Sequence, residues 1–327
     1  LLKLWAGGSK KKSIMDNIDS NKQLKLYGYN DYFKTFTEIY KKNKLPNCIL
    51  ISGPKGLGKA TFVNHFINSI LSENEDNSYS YQSLEIDKNN YSYNQTLSNI
   101  HPNFFTFDKD HMKIDDVRSL LHFLNKSTYL KDLKFIFIDN FEKFNLNSIN
   151  ALLKAIEEPS TNTYFFIVHD SSYKIPETIE SRCMKFKIFF NEKEKKNVFL
   201  NLVKDFNINI ENQELDDNLY LNTPGNLIKF FSFLKRKKLT FDDDYRSCIK
   251  ALFESYLKEK NVNILNFASY LIEKFYVKLC LNTNLNLPVH MNNFSIIMNQ
   301  IYKMKKFNLY EKNTLTLINE TLRNEAK

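Results

Sequence analysis

Pro46-Asn47-Cys48-Ile49-Leu50-Ile51-Ser52-Gly53-Pro54-Lys55-Gly56-Leu57-Gly58-Lys59-Ala60 is the stretch that decides how this chain folds. A short apolar run that meets glycines is the pattern of a buried strand entering a loop. Beyond the loop, Phe62, Val63, Phe66, Ile67 and Ile70 recur at helical spacing and predict an amphipathic helix. Gly53 to Lys59 fits the pattern G-x-x-x-x-G-K. Glycines there let the backbone wrap a phosphate. Consecutive N–H groups and the following helix N-terminus face the anion, and the lysine adds a positive charge. The candidate nucleotide-binding residues are therefore Gly53, Pro54, Lys55, Gly56, Leu57, Gly58, Lys59, Ala60 and Thr61. Ala60 stands where a Ser or Thr hydroxyl normally ligates Mg²⁺. Thr61 comes about 100° further round the helix, poorly placed to replace it. Two outcomes stay open: a loop that holds ATP or ADP without efficient turnover, and a loop that keeps its shape and binds nothing.

Working outward, Lys134 to Asp139 predicts a second buried strand and Thr163 to His169 a third. Between them Asn147 to Glu158 predicts a helix, with Ile149, Leu152, Leu153 and Ile156 on one face and Pro159 as its stop. Strands alternating with helices argue for the α/β class, a parallel sheet covered on both faces. The strand from Phe135 ends in Asp139, as a strand holding Mg²⁺ through water would, which makes Asp139 a candidate site residue. Asn140 follows where a water-orienting acid is expected, and an amide cannot act as a base. Glu142 faces elsewhere if the chain stays extended. Arg182, in Ser181-Arg182-Cys183, carries a guanidinium, the group a neighbouring active site uses to stabilise a transferring phosphoryl group in trans. A lone solvated arginine is the alternative.

Ser72 to Asn99 is rich in Asn, Ser, Tyr and acidic residues with little periodicity, and predicts an irregular surface insertion with one strand near Ser83 to Asp87. Past Phe190 the strand signals fade and helical patterning dominates, as in Ile249 to Leu257 and Phe267 to Leu281. A chain of 327 residues suits two or three domains. No apolar run reaches membrane-spanning length. Residues 1–14 read as a solvated tail, or as sequence ahead of a start at Met15. Cys48, Cys183, Cys248 and Cys280 are widely spaced, which predicts neither a disulfide framework nor a zinc site and fits a reducing cytoplasm. His65, His101 and His122 lack ligand-spaced partners and read as surface or satisfied core positions. The net charge of +9 admits a nucleic-acid partner, but the basic residues are dispersed. The 28 Phe and 18 Tyr read as core.

In order along the chain, GPKGLGKA (Gly53 to Ala60), IHPNFF (Ile100 to Phe105), FIFIDNFEKF (Phe135 to Phe144), NSINALLKAIEEPS (Asn147 to Ser160) and IPETIESRC (Ile175 to Cys183) resemble the AAA+ clamp-loader subunits of bacterial DNA polymerase III, the delta-prime subunits best. The resemblance is dense over roughly residues 24–190 and thin afterwards. It implies an N-terminal tail over 1–20, a P-loop AAA+ module over 21–190, a small helical lid over 191–238 and an all-α collar over 239–327 that joins a ring of subunits. It further implies that the residue matching Arg182 reaches the ATP site of an adjacent motor subunit. The implied partners are the motor and delta subunits, the sliding clamp and, through the complex, primed DNA, with no membrane. The departures from the motor pattern are Ala60, Asn140, Asn226 where a sensor arginine would fall, and His169-Asp170 near a sensor hydroxyl. Those losses point to a largely non-hydrolysing stator whose ATPase resides in its partners. The family's zinc-binding cysteines are missing, since Ser72 to Asn99 contains no Cys, so no zinc is predicted and the insertion is held by packing or is mobile. A gamma/tau-type motor subunit with relaxed motifs is the alternative. A DNA-binding adaptor outside replication is the third possibility, motivated by the charge.

Overall fold

A computed structural model describes residues 20–107, 114–126, 133–208, 223–237, 245–259, 262–282, 287–307 and 311–324. Among them, strands β1 (Cys48–Gly53), β2 (Phe104–Thr106), β3 (Lys134–Ile138), β4 (Thr163–Asp170) and β5 (Met184–Lys187) form one sheet in the order β2-β3-β4-β1-β5. Every neighbouring pair is parallel. The central strands are continuous apolar runs because both faces are covered. Ile49, Ile51, Phe135, Phe137, Phe166 and Val168 point to one face. There they meet Phe33 and Phe36 of α1 (Asn30–Lys41) and Phe62, Val63, Phe66 and Ile67 of α2 (Lys59–Leu71). The alternate residues Leu50, Ile136, Ile138, Phe165 and Ile167 point to the other face. Their partners are Leu120 of α4 (Ile114–Asn125) and Ile149, Leu152 and Ile156 of α5 (Leu146–Glu157). The predicted α/β class and parallel sheet are observed, and the aromatic residues form the core expected of them. Phe62, for example, stacks on Tyr29 and meets Phe36 edge-on.

The chain divides into two compact units, residues 1–207 with 215–229, and residues 208–214 with 230–327. The first holds the sheet, together with α3 (Tyr91–Leu97), α6 (Glu177–Glu180), α7 (Glu192–Asp205) and the start of α8 (Pro224–Lys237). The described part of the second unit is helical: the rest of α8, α9 (Tyr245–Glu259), α10 (Val262–Asn282), α11 (Leu287–Phe307) and α12 (Glu311–Asn324). Helical spacing sets its core, for example Ile297, Ile301 and Met304 on α11 and Leu315, Ile318 and Leu322 on α12. No helix among the described residues is long and apolar enough to cross a membrane.

Three features depart from the sequence expectations. β2 and β5 are strands that the apolar pattern does not signal. Cys48 and Cys183 form a disulfide, with Cα atoms 4.7 Å apart, although 135 residues separate them. The register explains it: Ile49 pairs with Met184, so Cys48 at the start of β1 and Cys183 just before β5 stand side by side. The insertion is the third. Instead of a strand near Ser83 to Asp87, Glu85 makes isolated bridges with Ser80 and Lys25, and a helix, α3, follows.

Among the described residues no group of three or more His, Cys, Asp or Glu is placed to hold a metal ion, and a polar network ties the insertion together. Asn90 caps α3 by accepting from Tyr93 N–H (2.7 Å), and its amide donates to Asn77 O (2.7 Å). Glu75 accepts from the backbone N–H of Tyr91 (2.9 Å) and Ser92 (3.0 Å) and from Ser92 Oγ (2.5 Å). A carboxylate at a helix N-terminus satisfies donors that lack helical partners. His101 accepts from Asn103 N–H at Nδ1 (3.1 Å), which places its proton on Nε2, facing Ser92 Oγ at 3.4 Å. His65 is held between Tyr79 Oη (3.0 Å) and Gln23 O (2.9 Å). Both imidazoles are thus satisfied core residues.

Candidate functional site

The loop Gly53 to Lys59 leaves the C-terminal end of β1 and enters α2, as its sequence predicts. Gly56 and Gly58 have φ of 88° and 89°, a left-handed backbone that glycine adopts without steric cost. Lys59 is 5% exposed, and its ammonium donates to the carbonyls of Gly53 (2.6 Å) and Pro54 (2.8 Å). Its charge thus lies against its own loop. Burial lowers the Lys59 pKa, opposed by Asp170, Asp139 and Glu142 in that order. Asp139 follows β3, and burial raises its pKa, against the hydrogen bond that Asn140 N–H donates to it (2.8 Å). Ala60 is buried and Thr61 half-buried, in the first turn of α2. The structure therefore gathers Gly53 to Thr61 and Asp139 at one end of the sheet.

Glu142 is a residue that the sequence misplaces. The chain does not stay extended after Asp139: Asn140 is left-handed (φ 52°, ψ 48°) and Phe141–Lys143 form a single 3₁₀ turn. Asn tolerates that conformation because its short polar side chain adds little steric cost. The turn carries the Glu142 carboxylate back to the strand ends, where it accepts from Asp170 N–H (3.3 Å) and acts electrostatically on Lys59, Asp139 and His169. His169 is buried, with no hydrogen-bond partner at Nε2, and burial lowers its pKa.

The sequence also misses what packs on the loop. Thr223 precedes α8, which opens on Pro224, a favoured helix start. Thr223 Oγ1 donates to Lys55 O (2.7 Å), and Gly225 N–H donates to Gly56 O (2.9 Å). Asn226, placed by resemblance where a sensor arginine would fall, does lie at the loop, with its amide 3.4 Å from Lys55 O. Backbone meets backbone here: a Cβ on Gly225 would sit 2.7 Å from Gly56 O. From the other side Tyr29 Oη donates to Leu57 O (3.1 Å). The outward carbonyls of the loop are thus satisfied by the chain itself.

Arg182 is not part of this cluster. It lies just before β5, whose first residue pairs with Ile49 near the start of β1, whereas Gly53 is at the end of β1. Ile49, the strand partner of Met184, is four residues of extended chain from Gly53, or about 13 Å at the strand rise, and Arg182 lies two residues before Met184. Its guanidinium is held instead by Glu157, Thr178 and Ser181.

The family described as DNA polymerase III, delta subunit, matches residues 28–192. DNA polymerase III subunit delta' of Buchnera aphidicola subsp. Baizongia pistaciae is 26% identical over 73% of this chain and 70% of its own length. Subunit delta' of Pseudomonas aeruginosa is 26% identical over 42% of this chain and 41% of its own length. Subunit gamma of Buchnera aphidicola subsp. Schizaphis graminum is 25% identical over 58% of this chain and 52% of its own length. For the last two, the match spans less than two thirds of the relative.

Proposed function

The chain belongs to the family described as DNA polymerase III, delta subunit, and on that premise we propose that it serves in a clamp loader as a delta-prime-type stator. In this reading it turns over little ATP itself and offers Arg182 to a nucleotide held by a neighbouring motor subunit. The observation that carries the reading is the position of Arg182 at the opposite end of the sheet from its own P-loop. A guanidinium held by Glu157, Thr178 and Ser181, away from the loop, has no work to do on a phosphate in that loop. Ala60 supplies no hydroxyl for Mg²⁺ and Asn140 no base, which fits a loop kept as scaffold, with static ATP or ADP occupancy as the upper limit. Gly53 to Thr61 would hold that nucleotide through the backbone N–H groups and Lys59, with Asp139 placed to hold a Mg²⁺ through water. The expected partners are the motor and delta subunits, the sliding clamp and primed DNA, in the cytoplasm. In this reading a small helical lid spans 191–238, and a collar over 239–327 makes the oligomeric contacts.

The gamma/tau-type motor is the second reading, favoured by the gamma relative and by Glu142, whose carboxylate the 3₁₀ turn brings among Lys59, Asp139 and His169. ATPase measurements on the purified chain, alone and mixed with its cognate loader subunits, separate the two. The stator reading expects near-background turnover alone and DNA-stimulated turnover only in the assembled mixture. Robust turnover by the chain alone, abolished by Lys59→Ala, establishes the motor instead.

A further inference from the structure

Glu157 ends α5, just before Glu158 and Pro159. A carboxylate at a helix C-terminus faces the negative end of the helix dipole, so its position there is unfavourable unless a cation answers it. Arg182 is that cation. Its Nε donates to Glu157 Oε1 (2.7 Å), and Nη2 lies 2.6 Å from the same oxygen. Nη1 donates to Thr178 O (2.9 Å) and to Ser181 Oγ (3.2 Å), at the end of the short helix α6. Four of the five guanidinium N–H groups are therefore engaged within the chain, leaving one on Nη2 for a further acceptor. Both side chains remain about two-fifths exposed, at 36% and 43%, so the group can meet a partner without unfolding anything.

We propose that Glu157 is a positioning residue for Arg182. It fixes the plane of the guanidinium, so that the remaining N–H edge is presented in one orientation to a phosphate on the neighbouring subunit. The inference rests on the reading of Arg182 as a trans arginine. A half-exposed ion pair adds little to folding stability, so the consequence of this tethering is orientation. Without Glu157 a long, rotamer-rich side chain must be ordered each time a nucleotide is engaged, a cost equivalent to between about twofold and tenfold in rate.

The test uses the loader reconstituted from this chain and its cognate motor and delta subunits, with assembly checked by gel filtration and DNA-stimulated ATPase as the readout. Glu157→Ala is expected to lower kcat by about twofold to tenfold with KM for ATP unchanged. Glu157→Gln, which keeps an acceptor oxygen, recovers part of the loss. In an Arg182→Ala background, Glu157→Ala adds nothing, because the residue acts only through the arginine. If Arg182→Ala impairs the complex while Glu157→Ala does not, or if the two losses multiply, the positioning role is overturned alone. If Arg182→Ala leaves the ATPase at the parental level, the trans-arginine reading and the positioning role fail together.

Discussion

Gly225→Ala tests the packing of the α8 start on the phosphate loop, because two physical effects at that position have opposite signs. Gly225 is in the first turn of α8 and its φ is not positive, so the backbone itself tolerates alanine. Were the position free, alanine would stabilise the helix by up to about 1 kcal/mol through lower backbone entropy in the unfolded chain. The Cβ would, however, meet Gly56 O at 2.7 Å and Gly56 Cα at 3.2 Å. Those are backbone atoms of a loop whose neighbouring carbonyl is held by Thr223, so neither side can yield as a flexible side chain would. Overpacking of that kind costs about 1 to 3 kcal/mol. The steric cost exceeds the helix gain, and a net destabilisation of about 1 to 2 kcal/mol is expected. Urea denaturation followed by far-ultraviolet circular dichroism measures it, with hydrogen exchange over 54–58 reporting where protection is lost. A variant as stable as the parent, or more so, refutes the packed arrangement.

Acidification should destabilise the first unit through His65 and His101. Burial pushes both imidazoles down to about 4, below the usual 6.5, so the unfolded chain takes up protons first. Stability is then full above about 6.5 and falls as pH drops toward 4, with His65 alone contributing on the order of 3 kcal/mol. A melting temperature that stays flat between pH 7 and pH 4.5 would contradict this. In the sheet, Phe166 is 0% exposed and packs between α2 and β3, against Phe66 and Phe135. Phe166→Ala should cost about 3 to 5 kcal/mol in the same urea assay, and a loss under about 1 kcal/mol would mean the core is not packed as described.

Much of the sheet was legible in the sequence, because β1, β3 and β4 are buried on both faces and so appear as apolar runs. The glycines that follow β1 mark where the backbone must turn against a phosphate-sized space. β5 was not legible: its Met-Lys-Phe-Lys sequence is mostly exposed at the sheet edge and lacks a buried run. α3 escaped because its Tyr-Ser-Tyr-Asn-Gln-Thr-Leu sequence has no apolar stripe, and its first turn depends on Glu75, sixteen residues earlier. Glu142 was misplaced because one left-handed asparagine reverses the direction its side chain takes. Thr223, Gly225 and the Cys48–Cys183 pair share a different reason. Their roles arise from contacts 135 residues or more apart, which no local pattern encodes. For Glu157 a signal was present, an acidic residue at the end of a helix, but its partner is fixed only by the fold.

The measurement that bears most directly on the account is DNA-stimulated ATPase of the reconstituted loader carrying Arg182→Ala in this chain. Removing an arginine that stabilises phosphoryl charge in trans costs about 10³- to 10⁵-fold in turnover where a single such residue controls the step. A loss of at least about tenfold at the site facing this chain, with assembly intact, is the expected result. Parental ATPase in a fully assembled Arg182→Ala complex would contradict the central claim that this chain contributes to hydrolysis by lending its arginine to another subunit.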